Sequence, residues 1–267
     1  MHSLVDMEVF DLKVVILAGG FGTRLTEETE LRPKPMVEIG EKPILWHIMK
    51  HFGFYGFNEF LIALGYKGDE IKKYFIDYHP LSGDMKINLK NGRVEVIDGA
   101  AEEWTINLID TGLATNTGGR LRRLKNWIGS ETFMLTYGDG VSSVDIRDLL
   151  HFHKEQARIA TVTAVHPPAR FGGLDINGDI VEQFEEKSQI REGWINGGYF
   201  VFEPEVFQYI TGDDTVLEAE TLVTLAQEGQ LASYKHEGFW QCMDTLRDKR
   251  YLENLWKQET PPWRIWK

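Results

Sequence analysis

Hydrophobic and polar positions along the chain fall into two textures. The first is a set of short runs that are apolar almost throughout: Lys13 to Ala18, Glu59 to Leu64, Thr132 to Tyr137 and Ala160 to Val165. Runs of this length, rich in β-branched and aromatic residues, suit parallel strands buried on both faces. Asn196 to Phe202 reads as paired glycines leading into a further strand. Between these runs lie segments with helical spacing. Pro43 to Phe52 places Ile44, Leu45, Ile48, Met49 and Phe52 on one side, with Pro43 suited to a helix start. Asp69 to Tyr78 reads as a helix with Asp69 as N-cap and Ile71, Tyr74 and Phe75 on one face. Further helices are predicted over Arg120 to Ile128, Asp145 to Gln156, Glu203 to Ile210, Glu220 to Gln227 and Asp248 to Lys257.

The second texture is strict alternation. Asp84 to Ile109 alternates around Asn91-Gly92, the strongest short-range hairpin signal, and Gly173 to Glu185 has the same character. Strands alternating with helices predict an α/β fold: a doubly wound, mainly parallel, mixed sheet flanked by helices, carrying β-hairpin insertions. No internal repeat or low-complexity linker interrupts it. Residues 12–267 are expected to form a single domain, with Met1 to Asp11 as an N-terminal extension.

Composition narrows the possible functions. Of 267 residues, 29 are Lys or Arg and 41 are Asp or Glu, a formal charge of −12. An acidic surface repels nucleic acid and anionic lipid, so neither is an expected partner. A phosphate ligand would need cations gathered locally. The one cysteine, Cys242, cannot form an intrachain disulfide. The first residues lack a basic start and apolar run, and no apolar stretch reaches the roughly 20 residues needed to cross a bilayer. A cytoplasmic protein is the expectation.

Two segments carry candidate phosphate chemistry. Gly19, Gly20 and Gly22 follow the first strand, where an open α/β sheet gathers ligands and glycines bring backbone N–H groups close to anionic oxygen. Their spacing is neither the dinucleotide fingerprint nor the Walker pattern. Arg24 closes the loop with a fork of donors suited to phosphate. Arg32-Pro33-Lys34-Pro35 sets a lysine between two prolines on stiff, extended backbone. By themselves these segments also fit a tight turn and a polar loop.

Taken together, AGGFGTRL, RPKPM and IGEKPIL resemble the signature of nucleotidyltransferases that make activated sugars. DTGLATNTGGRL, TYGDG, FEEK, INGGYFVF and GFWQCMDTLRDK follow in the order and rough spacing of the glucose-1-phosphate cytidylyltransferases, so the resemblance covers nearly the whole chain from Lys13. TGGR and QCMDT point to the cytidylyl branch, although Cys242 stands where that branch is expected to have proline. The resemblance implies a Rossmann-like sheet and transfer of a nucleotidyl group from CTP to α-D-glucose 1-phosphate, giving CDP-glucose and pyrophosphate. It implies Mg2+ on Asp139 and Asp244. It also implies nucleotide contacts from Leu17, Gly19, Gly20, Gly22, Thr23, Arg24, Lys34, Thr111, Gly118, Arg120, Tyr137 and Gly138. Arg24, Lys34, Asp139 and Lys187 take the catalytic roles; Gly173, Glu186, Lys187 and Asn196 bind the sugar phosphate. The family's usual place is precursor supply for bacterial surface polysaccharide such as O-antigen, and a homo-oligomer such as a hexamer is expected.

The residues alone leave alternatives open. Asp139 could be a turn residue and Asp244 the N-cap of the following helix. Glu185-Glu186-Lys187 could be a solvated face. Arg120 could donate to cytosine O2 or N3, or simply open a basic helix with Arg122, Arg123 and Lys125. A thymidylyl- or uridylyltransferase keeps the chemistry and changes the base. A non-catalytic nucleotide-sugar-binding regulator is the alternative of another class. The eight histidines show no ligand spacing, and His151 and His153 fall on different helix faces. Trp240, Trp263 and Trp266 are expected in packing or subunit contacts.

Overall fold

The computed structural model describes residues 12–22, 32–99, 101–167, 173–177, 180–185, 193–259 and 261–266, with backbone only for 173–177 and 180–185. In chain order the strands are β1 (Lys13–Leu17), β2 (Glu38–Ile39), β3 (Lys42–Pro43), β4 (Glu59–Leu64), β5 (Asp84–Asn88), β6 (Arg93–Ile97), β7 (Thr105–Asp110), β8 (Phe133–Tyr137), β9 (Gly140–Ser142), β10 (Ala160–Val165), β11 (Gly173–Asn177), β12 (Ile180–Glu185), β13 (Ile195–Phe202), β14 (Leu231–His236) and β15 (Trp240–Cys242). The helices are α1 (Ile44–Phe54), α2 (Gly68–Tyr78), α3 (Thr117–Arg123), α4 (Lys125–Ile128), α5 (Ile146–Gln156), α6 (Leu222–Gln227) and α7 (Leu246–Lys257).

Seven strands form the central sheet in the order β14-β10-β13-β8-β1-β4-β7. All neighbours are parallel except β13, which runs antiparallel to both β8 and β10. The mainly parallel mixed sheet is the one expected. Successive side chains of β1 go to opposite faces, as a strand requires. Val14 and Ile16 join a core with α1, α5, Leu252 and Trp263. Val15 and Leu17 join a second core with α3, Leu217 and Leu225. Both faces of β1 are therefore dry, which is why its sequence reads as a continuous apolar run. The hairpin at Asn91-Gly92 forms between β5 and β6, with Gly92 at φ 70°.

Some boundaries and caps differ from expectation. Thr105–Asp110 is the edge strand of the main sheet, paired with β4, rather than part of a hairpin. β14 closes the other edge, and its alternation is too weak to stand out in the sequence. Asp69 is not the N-cap of α2. Lys67, in the left-handed region at φ 51°, holds that place, and Asp69 lies in the first turn, where its charge still favours the helix dipole. Asp145 does cap α5, accepting from the Arg147 and Asp148 amides. Thr245, not Asp244, caps α7 through a reciprocal capping box with Asp248. Trp263 is fully buried and Trp266 nearly so, both in packing.

Candidate active site

Asp139 and Asp244 are brought together by two three-residue strands. β9 and β15 pair antiparallel with Gly140 opposite Cys242. The Met243 amide extends the pairing by donating to the Asp139 carbonyl at 2.8 Å. Asp139 just before β9 and Asp244 just after β15 thus stand side by side despite their separation in sequence. Capping by Thr245 leaves the Asp244 side chain available to the cleft.

Lys34 reaches this pair from a third segment. Pro33 is extended, but Lys34–Met36 closes into a single 3-10 turn, held by the Met36 amide on the Pro33 carbonyl at 2.8 Å. The backbone at Lys34 is therefore tighter than the extended form expected between two prolines. Its ammonium donates to Asp139 Oδ2 at 2.6 Å and to Asp244 Oδ1 at 2.5 Å. The Lys34 side chain is 11% exposed. Burial alone would lower its pKa, but Asp139 and Asp244 outweigh burial and hold it above its ordinary value. The lysine stays cationic throughout the physiological range.

Two clefts meet at these residues. The first, about 430 Å³, is lined by the β1 glycine loop and by Leu113 to Thr117. The second, about 460 Å³, is lined by Asn196, Gly197, Glu218 and Trp240. Tyr137, Asp139 and Asp244 belong to both. Leu17, Gly19, Gly20, Gly22, Lys34 and Gly138 all line the first cleft.

Arg120 lies at the floor of the first cleft, but its Nη donors are committed to the protein. Nη1 donates to the carbonyls of Leu64 (3.0 Å) and Gly112 (2.7 Å) and to the Thr111 hydroxyl (2.8 Å). Nη2 donates to the carbonyls of Gly19 (3.1 Å) and Leu113 (3.2 Å). The residue is only 5% exposed. In this arrangement Arg120 clips the glycine loop to the ends of β4 and β7, and it lines the cleft beside residues 113–117. Two other residues expected at the nucleotide do not line the cleft. Thr111 is fully buried and donates to the Leu64 carbonyl at 2.6 Å. A Cβ on Gly118 would stand 2.8 Å from the Thr215 carbonyl, so this glycine allows α3 to pack on the segment before residue 217.

On the second side, the Asn196 side-chain Oδ1 accepts from the Gly198 amide at 2.8 Å, and its Nδ2 donates to the Tyr137 hydroxyl oxygen at 3.5 Å. Gly198, at φ 78°, passes directly under the Tyr137 ring. Tyr137 donates to Glu218 Oε1, and Thr117 donates to Glu218 Oε2 at 2.7 Å. Trp240 donates to the Gly197 carbonyl at 2.7 Å and walls the second cleft. Glu218 was not foreseen. It sits in a helix-like run with no motif around it, and only the fold places it here. Gly173 opens β11. Thr23, Arg24, Glu186 and Lys187 lie outside the described residues.

Residues 13–248 match the family model described as nucleotidyl transferase. The chain belongs to the nucleotidyl transferase family. It is 50% identical over 256 residues to the glucose-1-phosphate cytidylyltransferase of Salmonella typhimurium, covering 96% of this chain and 100% of the relative. The probable glucose-1-phosphate cytidylyltransferase of Bacillus subtilis is 43% identical with the same coverage. Among solved structures, HddC from Yersinia pseudotuberculosis superposes with a TM-score of 0.69 at 23% identity, over 92% of this chain and 99% of that one. A UDP-glucose pyrophosphorylase bound to UDP-glucose gives 0.66 at 15%, over 93% and 99%. At those identities the structural likeness speaks for the nucleotidyl transferase fold alone.

The carboxylate pair suits a hard divalent cation. Such ions take oxygen ligands, often one or two carboxylates with substrate phosphates and water completing the shell. Asp139 and Asp244 already share one cationic group, the Lys34 ammonium. Among the described residues no cluster of three or more His, Cys, Asp or Glu side chains forms a closed metal cage. The two carboxylates line both clefts, which leaves room beside them for phosphate oxygens and water.

Proposed function

We propose that this nucleotidyl transferase joins CTP and α-D-glucose 1-phosphate, giving CDP-glucose and pyrophosphate. The single observation carrying the chemistry is the Lys34 ammonium clamped between Asp139 and Asp244 where two clefts meet. The choice of substrates rests on the cytidylyltransferase relatives, which match along 96% of the chain. The first cleft takes the nucleotide and the second takes the sugar.

The reaction needs no covalent intermediate. An oxygen of the sugar phosphate attacks the α-phosphorus. A new P–O bond forms as the bond to the α,β-bridging oxygen breaks, and the electron pair leaves with pyrophosphate. That nucleophile is ionised at neutral pH, so no general base is required. Asp139 and Asp244 would hold magnesium, which supplies charge neutralisation at the α-phosphate when bound. Lys34 presents a permanent positive charge beside the reacting phosphates. Amides of the glycine loop offer donors to the triphosphate. Arg24 steadies the departing phosphates and Lys187 aims the nucleophile. Arg120 keeps the nucleotide wall in shape, and the backbone of 113–116 meets the base.

The chain works as one domain over residues 12–267, in the cytoplasm, as a homo-oligomer such as a hexamer. Among the described residues no helix is long and apolar enough to cross a membrane. The exposed apolar side chains of Met85, Ile87 and Val94 on β5 and β6 support self-association. The test of function is pyrophosphate release with glucose 1-phosphate and magnesium, run in parallel with CTP, UTP, dTTP, ATP and GTP. Strong preference for CTP is expected. Activity led by UTP or dTTP would keep the chemistry and discard the base assignment. Silence with all five, and with other sugar 1-phosphates, would favour a regulatory binder.

A further inference from the structure

Glu218 is unassigned by the mechanism, yet it stands in the wall of the sugar-side cleft. It lies in the π turn Leu217–Thr221 that leads into α6. Such single wide turns are frequent at functional sites. Its two oxygens face different parts of the site. Oε1 accepts the Tyr137 phenol and Oε2 accepts the Thr117 hydroxyl at 2.7 Å. Thr117 lines the nucleotide cleft and is itself anchored, since its hydroxyl oxygen accepts the Leu217 amide at 3.0 Å.

Hydrogen-bond polarity follows from this arrangement. A carboxylate only accepts, so both hydroxyls must point their protons at Glu218. Burial and the nearby Glu218 raise the phenol pKa of Tyr137, so the ring keeps its proton. The Tyr137 oxygen, which also accepts the Asn196 side-chain amide at 3.5 Å, then has only acceptor capacity left for the cleft, and Glu218 adds its unused lone pairs. Gly198 under the ring and Asn196 beside the hydroxyl hold this edge in place.

We infer that Glu218 is a specificity-determining residue: with Tyr137 it forms an acceptor-only edge that selects hexose 1-phosphates bearing a hydroxyl at the ring position facing it. This rests on the proposed reading of the second cleft as the sugar side. A sugar hydroxyl donates to the edge. A deoxy carbon leaves buried acceptors unpaired, and a fluorine cannot donate.

The experiment uses the full chain with CTP and magnesium. It compares glucose 1-phosphate with its 2-, 3-, 4- and 6-deoxy and deoxyfluoro analogues, in the parent, Glu218→Gln and Tyr137→Phe. In the parent, one ring position should lose at least about tenfold in kcat/KM in both its deoxy and deoxyfluoro forms. In Glu218→Gln the amide can donate, so the fluoro penalty at that position should shrink several-fold while the other positions keep their ranking. Tyr137→Phe should shrink the deoxy penalty at the same position, and it serves if Glu218→Gln fails to fold. An analogue profile in either folded variant that is superimposable on the parent overturns the inference. A merely structural role would lower all analogues alike, which also overturns it. If the parent turns over no CTP, the functional reading is what fails. The same analogue series, measured as calorimetric binding to parent and Glu218→Gln, then decides the inference by the same criteria.

Discussion

Arg120 Nη2 donates to the Gly19 carbonyl at 3.1 Å, and the same guanidinium fills the space a side chain on Gly19 would need. A Cβ there would stand 2.3 Å from Nη1. The first glycine of the loop after β1 and the arginine of the helix beyond β7 are thus one fitted unit. The same fork also holds the carbonyls of Leu64, Gly112 and Leu113. Arg120→Ala leaves these buried acceptors unpaired and should cost about 2–4 kcal/mol. It should also raise KM for the nucleotide by roughly tenfold, as the wall loosens. Arg120→Lys should recover little, because an ammonium cannot reproduce the fork. Urea midpoints and nucleotide KM values for the two variants are the check.

Acid should destabilise the fold through two buried histidines. Burial pushes His47 and His51 down from 6.5 to about 4. Between those values the unfolded chain binds more protons than the native one, so stability rises with pH. Stability is therefore lost as pH falls from 6.5 toward 4, by on the order of 3 kcal/mol per histidine. His51 has a concrete reason to resist protonation. Its Nε2 is matched to the Val144 carbonyl at 2.8 Å, whereas Nδ1 is buried with no hydrogen-bond partner among the described residues. Urea unfolding at pH 7 and pH 5 should show the difference, and His51→Asn should reduce it.

Capping of α7 should matter for activity as well as stability. Thr245 closes the helix start through Asp248, and Asp248 Oδ2 also accepts the Asp244 amide at 3.1 Å. Thr245→Ala should lower stability by about 1 kcal/mol. It should also lower kcat severalfold, since the backbone that aims Asp244 loses a restraint. Thr245→Ser should keep both near the parent in thermal unfolding and turnover assays.

How much of this was legible in the sequence depends on where each signal resides. Lys13–Leu17 announced itself because both faces of β1 are dry, and Asn91-Gly92 announced its turn through local backbone preference. The edge strands did not. Thr105–Asp110 is half-exposed and its pairing with β4 spans the intervening hairpin. Lys34, Asp139 and Asp244 were named from motifs, but their convergence depends on the three-residue pairing of β9 with β15, which no local window contains. The contacts of Arg120 were not legible, because a basic run looks alike whether its arginine faces solvent or four backbone carbonyls. Glu218 carried no signal, since its importance comes from Tyr137 and Thr117, far away in sequence.

The most direct test of the account is the single-turnover rate of pyrophosphate release from CTP and glucose 1-phosphate in Asp139→Asn and Lys34→Ala, with folding verified by circular dichroism. Removing one charge from the cluster where the two clefts meet should lower the rate by roughly 10²–10⁴-fold in each variant while the spectrum stays that of the parent. A folded variant releasing pyrophosphate at near the parent rate would contradict the assignment of this cluster as the seat of nucleotidyl transfer.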